Sequence, residues 1–428
     1  MPSAGLRRRL RIGVPGTLLV LLLAHQIWNA IERRRFEAAV ELLRASGARL
    51  DQAEFADPIV PDEENAALLL QEGHEWLEAP SRREARLRAM PLIPPERWSP
   101  ENRSEAQAYL AAVEPYFALL KRAAARPRWQ VATDMTDPFG ANYSVLRWLQ
   151  SATDHISLRV FADDRPEGRT DRAVEMTLLG LDLWHPRRLR GLLAIRLHSV
   201  RWGYVQCHLD HLATQDGFDA AAFRRAIEPC LLADEPRAGW GADVMEFERA
   251  AALWLHGRAL DGSAHPDLDR ILPAYARWWI ARPWMYRDAI ESLDLVDRVQ
   301  RGLQGPPDDV PRILESMDAR DSRWIPVSRW LAARYRQDLR AYVSYVTEFR
   351  LLRIVMALLE RKQATGAWPE TLEALIEGGN PLDPNSGTPF EYSLYEEGPS
   401  IFAANPSWRL QLASGSQYSS RLAWSFPP

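Results

Sequence analysis

Asp338-Leu-Arg-Ala-Tyr-Val-Ser-Tyr-Val-Thr-Glu-Phe-Arg-Leu-Leu-Arg-Ile-Val-Met-Ala-Leu-Leu-Glu-Arg-Lys362 is the stretch that decides the fold. Leu339, Tyr342, Val343, Val346, Phe349, Leu352, Val355, Met356 and Leu359 recur in it at helical spacing, as one continuous apolar stripe. Upstream, similar spacing fills Asp62 to Glu78, Ser104 to Ala125, Phe139 to Ala152, Thr170 to Trp184, Arg187 to Ala213 and Asp219 to Leu232. It resumes in Ala242 to Leu260, Leu268 to Ile280, Met285 to Leu303 and Val310 to Met317. Gly, Asp or Pro breaks separate these segments, and Pro115 is expected to kink the helix it falls in. Short links place neighbouring helices antiparallel. No fixed repeat period holds, so the expectation is a mainly α fold: an irregular array of packed antiparallel helix pairs, tetratricopeptide-like at most.

After Gly366 the pattern changes. Pro369 suits a first helical position, Leu372, Leu375 and Ile376 give a short apolar face, and Gly378-Gly379 stops it. Phe390 to Tyr395 then alternates, with Phe390, Tyr392 and Leu394 expected inward. Glu396-Glu397-Gly398 turns, Ser400 to Ala403 returns, and Arg421 to Phe426 adds an edge. The tail therefore reads as a small C-terminal α+β hairpin module. The division expected along the chain is an N-terminal anchor at 1–31, a helical stalk at 32–79 and a Pro- and Arg-rich linker at 80–103. A helical domain at 104–365 and the module at 366–428 follow.

The anchor rests on Arg7, Arg8, Arg9 and Arg11 ahead of an apolar run from Ile12 to Ala24, weakly continued through Ile27, Trp28, Ala30 and Ile31. A charged segment followed by an apolar one is the form of an export signal, and no small-x-small cleavage site follows it, so an uncleaved signal anchor is expected. Residues 12–31 would then enter the inner membrane with Trp28 at its interface. Arg33, Arg34 and Arg35 nearly balance the upstream arginines. The basic N-terminus favours a cytoplasmic tail and a periplasmic body.

The net charge of -4 provides no global positive field, which argues against nucleic-acid binding. Seventeen tryptophans point first to aromatic locking of helix pairs. Only Cys207 and Cys230 occur, too few for a disulfide scaffold; one bridge across a helical hairpin and two separate thiols both remain open.

Gly366-Ala-Trp-Pro-Glu-Thr-Leu-Glu-Ala-Leu375 and Pro381-Leu-Asp-Pro-Asn-Ser-Gly-Thr-Pro-Phe-Glu-Tyr392 resemble the C-terminal block of a family of uncharacterised bacterial membrane-anchored helical proteins. A similar block closes the globular head of type II secretion pseudopilins, which implies an accessory of a secretion or pilus system. Arg126-Pro-Arg-Trp129 and Asp134 look like the helical part of the same bacterial family. The chain departs from pseudopilins around Gly13 and Gly16, where no processing site stands. It departs again at Ala403-Ala-Asn-Pro-Ser-Trp408, where their acidic calcium loop would be, so no calcium ligand is carried over. Asp383-Pro384 and Asn385-Ser386-Gly387 read as turn residues in their own right.

Candidate chemistry is sparse. Cys207 and His211, four apart beside His208 and Asp210 and with His198 upstream, share a helix face and make half of a zinc site; Cys230 or His256 could add a ligand only through the fold. His74-Glu75-Trp76-Leu77-Glu78 lacks the second histidine of a metalloprotease helix. Asp134 and Asp137, before Phe139-Gly140, are the carboxylates available for acid-base work, with capping and turn formation as the plainer role. No nucleophile elbow, phosphate-cradling loop or dinucleotide fingerprint occurs, and no cofactor is expected. The expectation is a membrane-anchored helical scaffold that binds a protein partner and is not an enzyme. An extracytoplasmic hydrolase acting on envelope material is the alternative from another class.

Overall fold

The computed structural model of the chain describes residues 4–55, 60–83, 98–130, 144–184, 192–235, 242–261, 279–318, 326–373, 375, 381–384, 386–395, 398–402 and 423–425. It is mainly helical with one small antiparallel sheet. The helices are α1 (Ala4–Ala45), α2 (Ala66–Leu77), α3 (Pro100–Ala112), α4 (Glu114–Ala124), α5 (Ser144–Phe161) and α6 (Arg169–Leu183). Then follow α7 (Leu192–Leu212), α8 (Ala220–Asp234), α9 (Ala242–Asp261), α10 (Arg282–Leu303), α11 (Val310–Asp318) and α12 (Pro326–Thr365). The sheet is β1 (Glu391–Tyr395), β2 (Gly398–Phe402) and β3 (Ala423–Ser425), in that order. Two compact units are assembled from separated segments. One holds 1–56, 242–302 and 315–336, the other 57–241, 303–314 and 337–428.

In the first unit α9 packs on the short turn Gln52–Phe55, where Phe55 meets Phe247 edge-on at 5.5 Å and Arg49 reaches Glu246 at 2.7 Å. His25, Trp28 and Phe36 of α1 contact Ile280, Trp284 and Tyr286 in the same order, so α1 and the start of α10 run parallel. The N-terminus of α12 takes its cap from another helix. Buried Asp288 of α10 accepts from Val327 N at 3.0 Å and Ser328 N at 2.9 Å, satisfying two of the donors a helix start leaves open.

In the second unit α2 packs on α4 and α5, α5 on α6 and α7, and α6 on α8. Caps set the boundaries here. Asn65 holds Ala67 N, Ser99 and Asn102 form a capping box, and Asp219 holds Ala222 N. α8 and α12 run antiparallel, because Ala220, Arg224 and Asp234 meet Gln363, Glu360 and Tyr345 in reverse order.

Several boundaries differ from those the sequence pattern suggests. Ser104 to Ala125 is two helices that part at Val113, because Pro115 in the first turn of α4 cannot donate backward into α3. α3 begins at Pro100, inside the expected linker, since Ser99 caps it. Of the helix expected after Pro369, residues 369–373 are not helical and Leu375 N turns back to Leu372 O, while residues 374 and 376–380 lie outside the described residues. Leu394 is exposed rather than inward, while Phe390 and Ile401 are buried. The hairpin itself forms in register, Tyr392 opposite Ile401. Residues 262–278, where most of the expected helix Leu268 to Ile280 falls, lie outside the described residues.

Close backbone approach is visible at Gly180 of α6, where an added Cβ would run into the Tyr204 hydroxyl, itself donating to Thr177 O at 2.6 Å. Gly203 of α7 has open space at the same point. A helical Gly costs up to about 1 kcal/mol relative to Ala, so Gly203→Ala should stabilise by a fraction of that, whereas overpacking should make Gly180→Ala lose about 1–3 kcal/mol. Urea unfolding of the two variants, read side by side, checks the opposite signs.

Candidate functional site

Of the residues singled out for chemistry, Asp134 and Asp137 lie outside the described residues. Cys207 and His211 stand one turn apart on α7, and Cys230 stands on α8; both cysteines are half-buried and neither is in a disulfide. Burial pushes the Cys230 thiol up, against the pull of Arg201, which keeps it protonated and unreactive. His211 is buried with its ring 5.1 Å from Phe161, and its Nδ1 makes no hydrogen bond. Burial first, then Arg103 and Arg169, push its pKa down to about 4. Among the described residues no group of three His, Cys, Asp or Glu is placed to hold a metal ion. The side chain of His198 is outside the description.

The neighbouring His208 has the more defined surroundings. Its Nε2 lies 3.1 Å from Ser157 Oγ on α5 and its Nδ1 3.0 Å from Thr177 Oγ1 on α6. A hydroxyl, an imidazole and an orienting group in line have the geometry of a nucleophile with its base. This one is sealed in the core: Ser157 is 1% exposed, and His208 and Thr177 are 0% exposed. Thr177 brings no negative charge to hold an imidazolium, and burial lowers His208 to about 3, far below a working base. The arrangement therefore joins three helices by mutual polar satisfaction. Ser157 and Thr177 lie 51 and 31 residues from His208, so neither could be paired with it from spacing.

Similar pairs recur. His155 Nδ1 donates to Ser151 O at 2.6 Å, which leaves Nε2 to accept from Tyr109 OH at 2.8 Å. His256 and Ser292 meet at 2.8 Å in the core of the first unit, and burial pushes His256 down to about 3. A further buried group is ionic. Arg201 pairs with Asp234, whose Oδ2 also accepts from Trp202 Nε1 at 3.1 Å and whose carbonyl accepts from Tyr345 OH.

Two features reach the surface of the first unit. An open cleft of about 600 Å³ lies between the end of α1 and α9, lined by Arg44, Arg49, Asp51, Glu54, Leu253 and Trp254. Its arginines are engaged already, Arg44 with Glu41 and Arg49 with Glu246. The other is α1 itself. Leu18, Leu19, Val20, Leu21, Leu22 and Leu23 are each 45–65% exposed, and Ile27 and Ile31 add to them. Among the described residues no helix is long and apolar enough to cross a membrane; the described side chains of α1 begin at Thr17, inside the span expected at 12–31. No family model, no curated protein and no solved structure matches the chain.

The buried histidines make stability depend on acid. His208, His211 and His256 stay neutral in the fold but take up protons near pH 6.5 once unfolded, so each withdraws stability as pH falls below that value. Asp288 acts in the opposite sense. Burial raises its pKa to about 6, so its contribution is present at low pH and is lost as pH rises through 6. Between pH 6 and 4 the net is about two protons, roughly 3 kcal/mol of stability lost per pH unit of acidification. His208→Gln should flatten that slope and Asp288→Asn steepen it, each by about 1.4 kcal/mol per pH unit. Urea titrations at stepped pH read both.

Proposed function

We propose that the chain is a membrane-tethered helical interaction protein. Residues 12–31 anchor it in the inner membrane, and a periplasmic body of irregularly packed antiparallel helix pairs offers its surface to a protein partner. The observation that carries this reading is the bare run Leu18 to Leu23. Six successive residues at helical spacing go round the whole circumference, so no single packing partner on one face could cover them. Fully burying one such side chain is worth about 1.5–3 kcal/mol. With about half of each left exposed, transfer of the run into hydrocarbon gains on the order of 6 kcal/mol. A helix enters that environment with its backbone hydrogen bonds already satisfied internally. Arg7, Arg8, Arg9 and Arg11 precede the run, and Arg33, Arg34 and Arg35 follow it, as charged flanks of an anchor do.

Protease accessibility of the C-terminal tail tests the address. Cleavage only after the outer membrane is permeabilised is the expected result. Protection until the inner membrane is lysed would place the body in the cytoplasm and overturn the proposed topology. Val20→Arg with Leu21→Arg should move the chain out of the membrane fraction while its helical circular dichroism is kept. Retention in the membrane pellet would sink the anchor.

A further inference from the structure

We propose that the body makes a second membrane contact, in which Ile280 and Trp284, beside His25 and Trp28, rest on the headgroup boundary of an anionic bilayer. The inference deepens the anchor reading and rests on it. Its geometry comes from the parallel pairing of α1 with the start of α10. His25 Nε2 donates to Ile280 O at 2.9 Å, and the indoles of Trp28 and Trp284 meet edge-on at 4.5 Å. These contacts begin two residues past Leu23, so the 280–284 segment sits at the foot of the bare apolar run and continues its surface. Ile280 is 46% and Trp284 47% exposed, large apolar side chains that water would not select. An aromatic pair at the end of an apolar helix is what a membrane interface favours, apolar body inward and indole N–H toward the headgroups.

Charge selects the occupant. Arg33, Arg34 and Arg35 on α1 and Arg282 and Arg287 on α10 are exposed around the patch. Arg33 engages Glu37, Arg35 engages Glu32 and Arg287 engages Glu291, while Arg34 and Arg282 have no ion-pair partner among the described residues. Two guanidiniums with no ion-pair partner among the described residues, beside an apolar patch, match lipid phosphates, each basic residue near such a surface strengthening association about fivefold. A second copy of the chain would bring the same positive charges against one another across a twofold axis, which like-charge repulsion opposes.

The test uses the full chain with Cys207→Ser and Cys230→Ser, carrying a single environment-sensitive fluorophore on Leu21→Cys, Ile280→Cys or Leu42→Cys. It is reconstituted in vesicles of phosphatidylcholine with phosphatidylglycerol that hold nitroxide lipids labelled near the headgroup or at mid-chain. Leu42 lies about 30 Å along α1 from Leu21 and serves as the water-exposed control. The expected result is mid-chain quenching at 21, headgroup-level quenching at 280 and none at 42. Quenching at 280 should weaken in Arg34→Gln with Arg282→Gln, or in vesicles of phosphatidylcholine alone. Quenching at 21 with none at 280 overturns the second contact and leaves the anchor standing; none at either overturns both. A blue shift at 280 that grows with protein concentration without vesicles overturns it in favour of self-association. Trp284→Cys, labelled in the same way, replaces Ile280→Cys if that variant loses its helical circular dichroism.

Discussion

The enclosed part of α12 is the constraint on which the second unit depends. Tyr342, Val343, Tyr345, Val346, Phe349, Leu351, Leu352, Ile354, Val355, Met356 and Leu358 are all buried, and between 342 and 360 only the line Arg350, Arg353, Ala357 and Glu360 reaches water. A helix with so narrow a wet face must be surrounded by other elements over most of its circumference, and every polar group it carries inward must find a partner there. Thr347 donates to Val343 O and to buried Asp383 of the tail, and Gln363 bonds both Phe218 O and Ala220 N at the start of α8. The same requirement explains the tail motif. Asp383, Ser386 and Gly387 make a turn that delivers one carboxylate to Thr347, with Gly387 at φ +68° accepting the left-handed conformation where the turn closes on Asp383 O.

Asp234 is where the enclosure is most demanding. It is the last residue of α8, and an acid at a helix C-terminus carries the wrong sign for the helix dipole. With 4% of its surface exposed it also has little water to lean on. Arg201 offsets both penalties, Trp202 supplies a neutral donor, and Tyr345 occupies the carbonyl, so α7, α8 and α12 are fastened at one point. Removing either partner of such a pair leaves a buried charge uncompensated, which costs about 3–5 kcal/mol, more than the pair contributes over a well-packed apolar substitute. The histidine and hydroxyl pairs act by the same logic without charge. They fix which helices may touch rather than how strongly.

The helical class and most element cores were legible in the sequence, because apolar spacing reports a buried face directly. The stripe through Leu339 and Leu359 reads as one face, and the burial extends well beyond it, to all but the line through Arg350, Arg353 and Glu360. Tyr345, Leu351, Ile354 and Leu358 fill other directions, and spacing alone gives no notice of how many neighbours a helix has. Pro115 was expected to kink a helix and instead begins one, since Val113 leaves the helical region before it. Ser157, Thr177 and Asp234 gave no local signal. Each matters through a residue more than thirty positions away, and only the fold creates that proximity.

Along α1 the sequence changes character while the backbone does not. Thr17 to Ala24 are exposed on every side, His25 to Ile31 mix apolar and polar groups beside Ile280 and Trp284, and from Glu32 the surface carries ion pairs such as Arg33 with Glu37 and Arg44 with Glu41. A helix wholly in water would gain from charged residues throughout, and a helix packed on one side of a protein would show one apolar stripe. On the proposed anchoring, these three successive surfaces on one helix would meet hydrocarbon, interface and water in turn. In this middle zone α1 also meets the 280–284 segment, through the His25 hydrogen bond and the Trp28–Trp284 indole pair. Under the proposed anchoring these contacts would hold the folded unit at a fixed height on its helix, which is the condition for a surface of that unit to face a partner in a defined orientation.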